Sequence, residues 1–260
     1  MEPLIMFDTI FLIVGFSIII GSCFGSFANM MIYRLCSTQS LFTARSMCPA
    51  CKQILDLLDL IPIISYLRLG GRCKSCSQII AKRYLIVELI TPILFFFFLY
   101  PSSFMYLNLH YLVFGYIMLI LFFTDLESFL LPLPLTGFLV ILGFITSFFA
   151  DRLLDNLIST AIIAIGFLLF RYIFNLIYKQ DTFGLGDIIL LSAITFNFGW
   201  QICISTFYCA VILGGFYSIL LILLKKRSRK DLIPFGPFII IGFLCSFQFL
   251  TMAVPFLFVN

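Results

Sequence analysis

Residues 188–224 have the sequence IILLSAITFNFGWQICISTFYCAVILGGFYSILLILL, and none of these 37 positions carries a charged side chain. A helix that crosses a bilayer needs about 20 apolar residues, so this stretch is too long for one crossing and short for two. The whole chain is 62% hydrophobic and 11% charged, with a mean hydropathy of +1.16. Soluble domains average about 25% charged residues. The composition therefore predicts an all-α integral membrane protein.

Lys and Arg set the orientation of the predicted helices, because loops rich in these residues stay in the cytoplasm. Eight of the 16 basic residues lie within residues 34–83, five lie in KKRSRK at 225–230, and Lys179 lies between the two groups. If all three loops are cytoplasmic, an even number of crossings separates Lys179 from the 225–230 cluster. Residues 188–224 then cross twice, with a short first arm and a turn near Asn197–Trp200. This gives about eight transmembrane helices with both termini outside.

The predicted organisation has three parts: a first transmembrane helix in residues 1–33, a cytoplasmic loop in residues 34–83, and the remaining helices in residues 84–260. The N-terminal apolar run begins with acidic residues and is longer than the apolar region of a signal peptide, so we expect it to be a retained helix. Basic residues form no stripe with interleaved aromatic residues, which argues against a nucleic-acid partner. Outside residues 188–224 the predicted spans are, in chain order, Leu4–Tyr33, Tyr84–Tyr100, Phe104–Thr124, Phe129–Ala150, Leu157–Tyr178 and Leu232–Val259.

Four of the nine cysteines form two Cys-x-x-Cys pairs in the long loop, Cys48 with Cys51 and Cys73 with Cys76, with 21 residues between the pairs. Two such pairs can place four thiolates around a tetrahedral zinc ion. Disulfides are disfavoured in the reducing cytoplasm. We therefore predict a zinc-binding loop whose metal is structural, because four sulfur ligands leave no open position. Redox-active pairs and coincidence are the alternatives, and the other five cysteines are expected to behave as small apolar residues.

Two acidic residues lie at predicted membrane depth, where ionisable groups are costly and usually functional. Asp125 ends the third predicted span and Asp187 opens the sixth. By the predicted topology both lie at the cytoplasmic boundary, so the fold can bring them together. Two close carboxylates share one proton, and one can act as base on a water while the other acts as acid. Gly184 and Gly186 would let the backbone approach an extended substrate closely.

Other assignments stay open for these acidic residues. Asp187 could instead be a helix N-cap, a position where Asp is favoured. Glu127 and Asp181 are rival members of a carboxylate pair, although both fit solvated loops. The single histidine, His110, lies near the outer face of a predicted span and is expected to be inert.

These residues resemble a known family. GLGD at 184–187 resembles the GxGD motif of intramembrane aspartyl proteases, and the rest of the chain resembles the type IV prepilin peptidases of bacterial inner membranes. The further matching segments are GSFANMMIYRL at 25–35, the cysteine-bearing residues 45–90, DLESFLLPLPLT at 125–136 and IPFGPF at 233–238.

The resemblance implies that Asp125 and Asp187 are the catalytic pair. The substrate would be a prepilin or pseudopilin, cut between a short basic leader and an apolar helix at the cytoplasmic boundary. Members with the cysteine loop also N-methylate the new terminal residue with S-adenosylmethionine, and Gly71 in GGRC is a candidate contributor. The chain departs from the family pattern at Leu133, where an acid is frequent, and at Ile189, where Lys is usual.

Four functions remain as alternatives. The leading hypothesis is a prepilin peptidase that is also an N-methyltransferase, and the nearest rival is a peptidase without methylation. A non-enzymatic assembly factor would use the zinc loop to bind partners. A small-molecule transporter would use the carboxylates as a proton relay, but the acidic residues lie at one boundary and inverted repeats are not visible.

Overall fold

The computed structural model describes residues 2–37, 45–99, 105–179, 183–225 and 233–253, and these residues are helical with no β-strand longer than an isolated bridge. The eight long helices are α1 (Glu2–Cys36), α3 (Lys82–Leu99), α4 (Met105–Ser128), α5 (Leu133–Phe149), α6 (Leu153–Tyr178), α7 (Leu185–Phe198), α8 (Trp200–Leu223) and α9 (Gly236–Ala253). A 3₁₀ turn (Leu57–Leu60) and the short helix α2 (Ile64–Arg68) lie between α1 and α3. The eight long helices correspond one to one with the eight predicted spans, which confirms the all-α fold class.

The uncharged stretch at 188–224 divides where the sequence predicts a turn. The helix α7 ends at Phe198 and α8 begins at Trp200, with Gly199 at a φ of +88° between them. Only glycine adopts such a φ without strain, so a sharp change of direction is possible at this residue. The first arm is short, because 14 residues at 1.5 Å each extend about 21 Å.

Four helices are long and apolar enough to cross a membrane within the described residues: Ile10–Cys36, Leu109–Ser128, Leu153–Tyr178 and Trp200–Leu223. Three shorter apolar helices are α5, α7 and the described part of α9. The chain is therefore a multi-pass membrane protein. That all eight helices cross the bilayer stays a prediction, because helix length alone does not test it.

The chain divides into two compact units, residues 1–120 and residues 121–260. In the first unit α1 and α3 pack as an antiparallel pair at close range. Added Cβ atoms at Gly21 and Gly25 would lie 2.6 Å from the Cα of Pro92 and 2.8 Å from the Cα of Glu88. One turn further along, Asn29 Nδ2 donates to the carbonyl of Tyr84 at 2.9 Å. The small residues of α1 therefore fix the level of α3 beside it.

In the second unit α7 is the central helix and buries seven of its 14 residues. Its neighbours approach closely: Asn197 Nδ2 on α7 donates to the carbonyl of Leu139 on α5 at 2.9 Å. An added Cβ at Gly242 on α9 would lie 2.6 Å from the carbonyl oxygen of Thr206 on α8. The helix α6 has no buried residue, which suits a helix with one side exposed to lipid. A buried α7 holds Asp187 at its first turn.

Candidate active site

Asp125 lies in the last turn of α4 and is 5% exposed. Its Oδ2 accepts the backbone N–H of Gly236, the first residue of α9, at 3.0 Å. The first N–H groups of a helix have no partner within the helix and carry the positive end of its dipole, so they favour a carboxylate. One oxygen of Asp125 is therefore held by a residue 111 positions away in sequence.

Gly236 leaves no space beside this carboxylate. A Cβ at this position would lie 2.7 Å from Asp125 Oδ2 and 3.1 Å from its Cγ. Cβ atoms are essentially never found under 3.0 Å from another heavy atom, so any larger residue would displace the Asp125 side chain. The glycine of IPFGPF is therefore required by the position of Asp125, a role that the sequence analysis did not assign.

Asp187 is the third residue of α7, and the N-cap is Gly184. The interpretation of Asp187 as the N-cap is therefore wrong, because Asp187 lies three residues after the N-cap. Its carboxylate accepts the backbone N–H of Gly184, as the third residue of a capping box does. An added Cβ at Gly184 would lie 2.7 Å from Asp187 Oδ2. The carboxylate of each aspartate thus packs closely against a glycine.

The fold brings Asp125 and Asp187 together, close enough for their carboxylates to interact electrostatically. Leu131, in the loop between α4 and α5, lies next to two glycines of the site: Gly186, which precedes Asp187, and Gly236, which contacts Asp125. A Cβ added at Gly186 would be 3.0 Å from Leu131 Cβ, and a Cβ added at Gly236 would be 3.3 Å from Leu131 Cδ2. Two close carboxylates flanked by an apolar side chain can hold a water and move its protons by general acid–base catalysis.

The turn before Asp187 is held by contacts that sequence reasoning missed. Arg171 on α6 donates from Nη1 to the carbonyl of Phe183, the residue before Gly184. Five aromatic rings surround this turn, with Phe183 5.7 Å from Phe235 between ring centroids. The cluster consists of Phe167, Phe170, Phe183, Phe207 and Phe235. It joins the GLGD turn to the residue that precedes Gly236.

The structure describes one of the two rival acids. Glu127 is exposed at the end of α4, and Asp181 lies outside the described residues. His110 is buried on α4, with its ring 5.4 Å from Tyr111 and 6.3 Å from Phe114. At the two departures from the family pattern, Leu133 is exposed at the start of α5 and Ile189 is half-buried on α7.

The two cysteine pairs form two copies of one backbone turn. In the first turn Cys48 N–H donates to Gln53 O at 2.9 Å, and in the second Cys73 N–H donates to Gln78 O at 2.9 Å. The fourth residue after each leading cysteine has a positive φ, 60° at Lys52 and 58° at Ser77. This repeated geometry directs the two sulfur atoms of each turn to one side.

The sulfur atoms of the four cysteines form one cluster. They lie within 4.8 Å of one another, with Cys48 Sγ 3.9 Å from Cys76 Sγ and Cys51 Sγ 4.0 Å from Cys73 Sγ. A tetrahedral zinc with Zn–S bonds of about 2.3 Å separates its sulfurs by about 3.8 Å. Backbone N–H groups of Cys76 and Ser75 lower the pKa of the Cys73 thiol to about 6, which favours one thiolate, while burial and hydrogen bonds to the other three thiols raise the pKa of Cys76 to about 11. The four cysteines therefore fit a zinc ion.

Gly71 lies in the same loop and has two reasons to be glycine. Its φ is +66°, and an added Cβ would lie 3.0 Å from the hydroxyl oxygen of Tyr66. Its carbonyl accepts the N–H of Ile80 at 2.8 Å, beside the second cysteine turn. These contacts are structural, and the proposed contribution of Gly71 to a second activity stays a prediction.

Comparison with known protein families gives matches to two segments of the chain. The family model described as the bacterial peptidase A24 N-terminal domain matches residues 19–101, and that of the type IV leader peptidase family matches residues 112–219. The first match contains the four cysteines and the second contains Asp125 and Asp187. Gly236 lies beyond both.

Several curated proteins are similar over most of the chain. A Vibrio cholerae protein named prepilin leader peptidase/N-methyltransferase is 32% identical, over 88% of this chain and 94% of that protein. An Aeromonas hydrophila protein of the same name is 30% identical, over 92% of this chain and 89% of that protein. A Myxococcus xanthus protein of this name is 31% identical over 82% of this chain, which spans 64% of that protein's length. No solved structure matches the chain.

Proposed function

Because the chain belongs to the type IV leader peptidase family, we propose that it cleaves the leader peptide from prepilins or pseudopilins with Asp125 and Asp187. The observation that carries this proposal is that these two carboxylates, which lie 62 positions apart in sequence, are near enough in the fold to interact electrostatically. The enzyme works in the bacterial inner membrane, with its site at the cytoplasmic boundary where a basic leader meets an apolar pilin helix.

The reaction needs one water and one shared proton. One carboxylate takes a proton from the water as its oxygen attacks the scissile carbonyl carbon, while the other gives a proton to the carbonyl oxygen. The tetrahedral intermediate then collapses and the C–N bond breaks. The leaving amine receives the proton taken from the water, and a hydroxyl of the intermediate returns a proton to the second carboxylate, which gives the free carboxylic acid. Gly184 and Gly186 pack against side chains of the site, because an added Cβ would lie 2.7 Å from Asp187 Oδ2 at Gly184 and 3.0 Å from Leu131 Cβ at Gly186.

The same chain methylates the new N-terminus. S-adenosylmethionine supplies the methyl group when it is bound, and the relatives named above carry N-methyltransferase in their names. We propose that residues of the cysteine loop near Gly71 contribute to methyl transfer. The four cysteines would hold a zinc ion that orders that loop and takes no part in chemistry, because sulfur would fill its four positions.

The proposal is tested with the purified full chain in lipid and a synthetic prepilin peptide that carries a basic leader and the start of an apolar helix. Products are weighed by mass spectrometry with and without S-adenosylmethionine. We expect a shortened peptide in both cases and one additional methyl group only with the donor. Cleavage without methylation would indicate a peptidase that lacks methyltransferase activity. An intact substrate under both conditions would favour a non-enzymatic assembly factor.

A further inference from the structure

The segment from the 3₁₀ turn to the end of α2, residues 57–68, is apolar and yet has no buried residue in either helical element. Soluble proteins expose large apolar side chains singly, whereas a contiguous set marks a surface that binds something apolar. Six such side chains are exposed here, with Leu57 at 86% and Leu67 at 65%. The six are Leu57, Leu58, Leu60, Ile61, Ile64 and Leu67.

The level of this segment along the membrane helices follows from two contacts. The backbone N–H of Ile63 donates to Glu88 Oε2 on α3 at 2.7 Å. Glu88 in turn packs against Gly25 on α1, where an added Cβ would lie 2.8 Å from the Cα of Glu88. Ile63 therefore lies beside the part of α1 that contains Gly25.

Gly25 belongs to the apolar core of α1. The last acidic residue before this core is Asp8, and a span of about 20 residues that starts at Thr9 ends near Ala28. Gly25 is three residues inside that end, about 4.5 Å at 1.5 Å per residue. The candidate span of α1 extends further still, to Cys36. The turn at Ile63 is thus at or inside the membrane boundary rather than free in the cytoplasm.

The charges around the segment also suit a membrane surface. Asp59 pairs with Arg68 at 2.7 Å and its side chain is only 7% exposed, so its charge is offset within the segment. Asp56, just before the segment, pairs with Lys74 at 3.3 Å. Arg72 follows in the chain, and Lys and Arg can extend from an apolar layer to anionic headgroups, which attract them on the cytoplasmic leaflet.

We propose that residues 57–68 form an interfacial segment that inserts its exposed Leu and Ile side chains among the lipid acyl chains. Lipid is the occupant we favour over a protein, because the segment is tied to α3 beside the apolar core of α1. The cysteine turns flank the segment, with Cys51 six residues before it and Cys73 five residues after it. Insertion of the segment therefore holds the zinc-binding turns at the membrane surface.

Depth-dependent fluorescence quenching tests this inference without any use of enzyme activity. Trp200→Phe removes the only tryptophan of the chain, and Leu58→Trp then introduces one reporter into the interfacial segment. Gln53→Trp places the control reporter on an exposed residue of the first cysteine turn. Each full-length variant is reconstituted into phosphatidylcholine and phosphatidylglycerol bilayers in which a fraction of the acyl chains is brominated.

We expect several-fold stronger quenching for the Leu58→Trp reporter than for the Gln53→Trp reporter. Leu67→Trp, on α2, should be quenched like Leu58→Trp and replaces it if that variant does not fold. Equally weak quenching at positions 53, 58 and 67 would overturn the proposal. Weak quenching with a blue shift on addition of an unprocessed prepilin would also overturn it, in favour of a protein partner.

Discussion

The carboxylate of Glu88 accepts the backbone N–H of Ile63 at 2.7 Å, which joins α3 to the turn before α2. Ile63 has a φ of +63° and a ψ of −52°, and Ile64 N–H donates to Pro62 O at 2.6 Å. This is a three-residue γ-turn of the rare, strained hand. A β-branched residue in such a conformation costs about 1–3 kcal/mol. Glu88 therefore stabilises a backbone conformation that the isolated chain would avoid.

Loss of this bond should loosen the loop between α1 and α3. We expect Glu88→Leu to speed amide hydrogen exchange in residues 57–80 by about 10- to 100-fold, because a hydrogen bond to a charged group contributes about 1.5–3 kcal/mol. Glu88→Gln retains an acceptor oxygen and should change exchange much less. The measurement is hydrogen exchange followed by mass spectrometry on the reconstituted protein.

The double variant Glu88→Leu with Ile63→Gly separates the bond from other roles of Glu88. Glycine adopts a positive φ without strain, so exchange should return part of the way toward the wild-type rate. If the second substitution recovers nothing, Glu88 does not act by holding the turn at Ile63.

The four clustered cysteines should hold about one zinc ion per chain. Cys51→Ser should lose the metal and expose the loop to protease, because site formation and local folding are coupled. Cys209→Ser removes a cysteine outside the cluster and should keep the full zinc content. Elemental analysis of freshly purified protein gives the stoichiometry. Protein that carries no zinc, or a Cys51→Ser variant that keeps it, would contradict the prediction.

The predictable parts of this molecule depend on local patterns. The helices follow from runs of apolar residues, and the turn after Phe198 follows from a glycine within a stretch of fixed length. The cysteine cluster follows from a turn that five or six adjacent residues form by themselves, repeated at Cys48 and Cys73. Periodicity and spacing are sufficient for such features.

The parts that sequence did not predict depend on contacts between distant residues. Gly236 meets Asp125 across 111 positions, and Arg171 on α6 holds the carbonyl that precedes the GLGD turn. Nothing in the local sequence of IPFGPF indicates which carboxylate it will contact. The bond from Ile63 to Glu88 is of the same kind, because a positive φ at isoleucine is imposed by tertiary structure and has no sequence signature.

Gly236→Ala should fold normally and lose cleavage. The added Cβ would lie 2.7 Å from Asp125 Oδ2, so the flexible side chain of Asp125 must move while the backbone stays. A misplacement of about 1 Å can lower a rate by about 100-fold, and we expect a fall in kcat of at least that size. Methylation of an already cleaved pilin peptide should be unchanged.

Gly215→Ala is the matched control, since an added Cβ there has nothing within 4 Å. It should cleave prepilin at the wild-type rate. Wild-type cleavage by Gly236→Ala would show that contact with Gly236 does not position Asp125.

Gly71→Val should reduce methylation more than cleavage. The substitution places a branched side chain at a φ of +66° and 3.0 Å from the Tyr66 hydroxyl, which distorts the loop around the second cysteine turn. Gly70→Val introduces the same side chain at a similar φ of +57° with nothing within 4 Å, and it should be milder. Parallel assays use a prepilin for cleavage and a mature peptide for methyl transfer. Equal loss of both activities would indicate that the loop supports the peptidase fold.

Asp125→Asn and Asp187→Asn should each remove cleavage, by about 100- to 10,000-fold or to below detection, while the protein remains folded. An amide has nearly the shape of a carboxylate and still offers an oxygen to the N–H of Gly236, but it cannot exchange the proton that catalysis requires. Because the two groups act as a unit, the double variant should be no worse than either single one. Prepilin cleavage and thermal unfolding are measured on the same preparations.

Neighbouring acids provide the controls for this pair. Glu127→Gln changes an exposed side chain two residues from Asp125 and should stay active, and Asp181→Asn should do the same six residues before Asp187. Both substitutions alter the local charge as much as the catalytic ones do, so a general electrostatic effect would lower all four activities alike. Retained cleavage in Asp125→Asn or Asp187→Asn would refute the two-aspartate mechanism. Loss confined to these two variants would leave the shared proton as the physical difference, because each of the four substitutions replaces a carboxylate by an amide of nearly the same size.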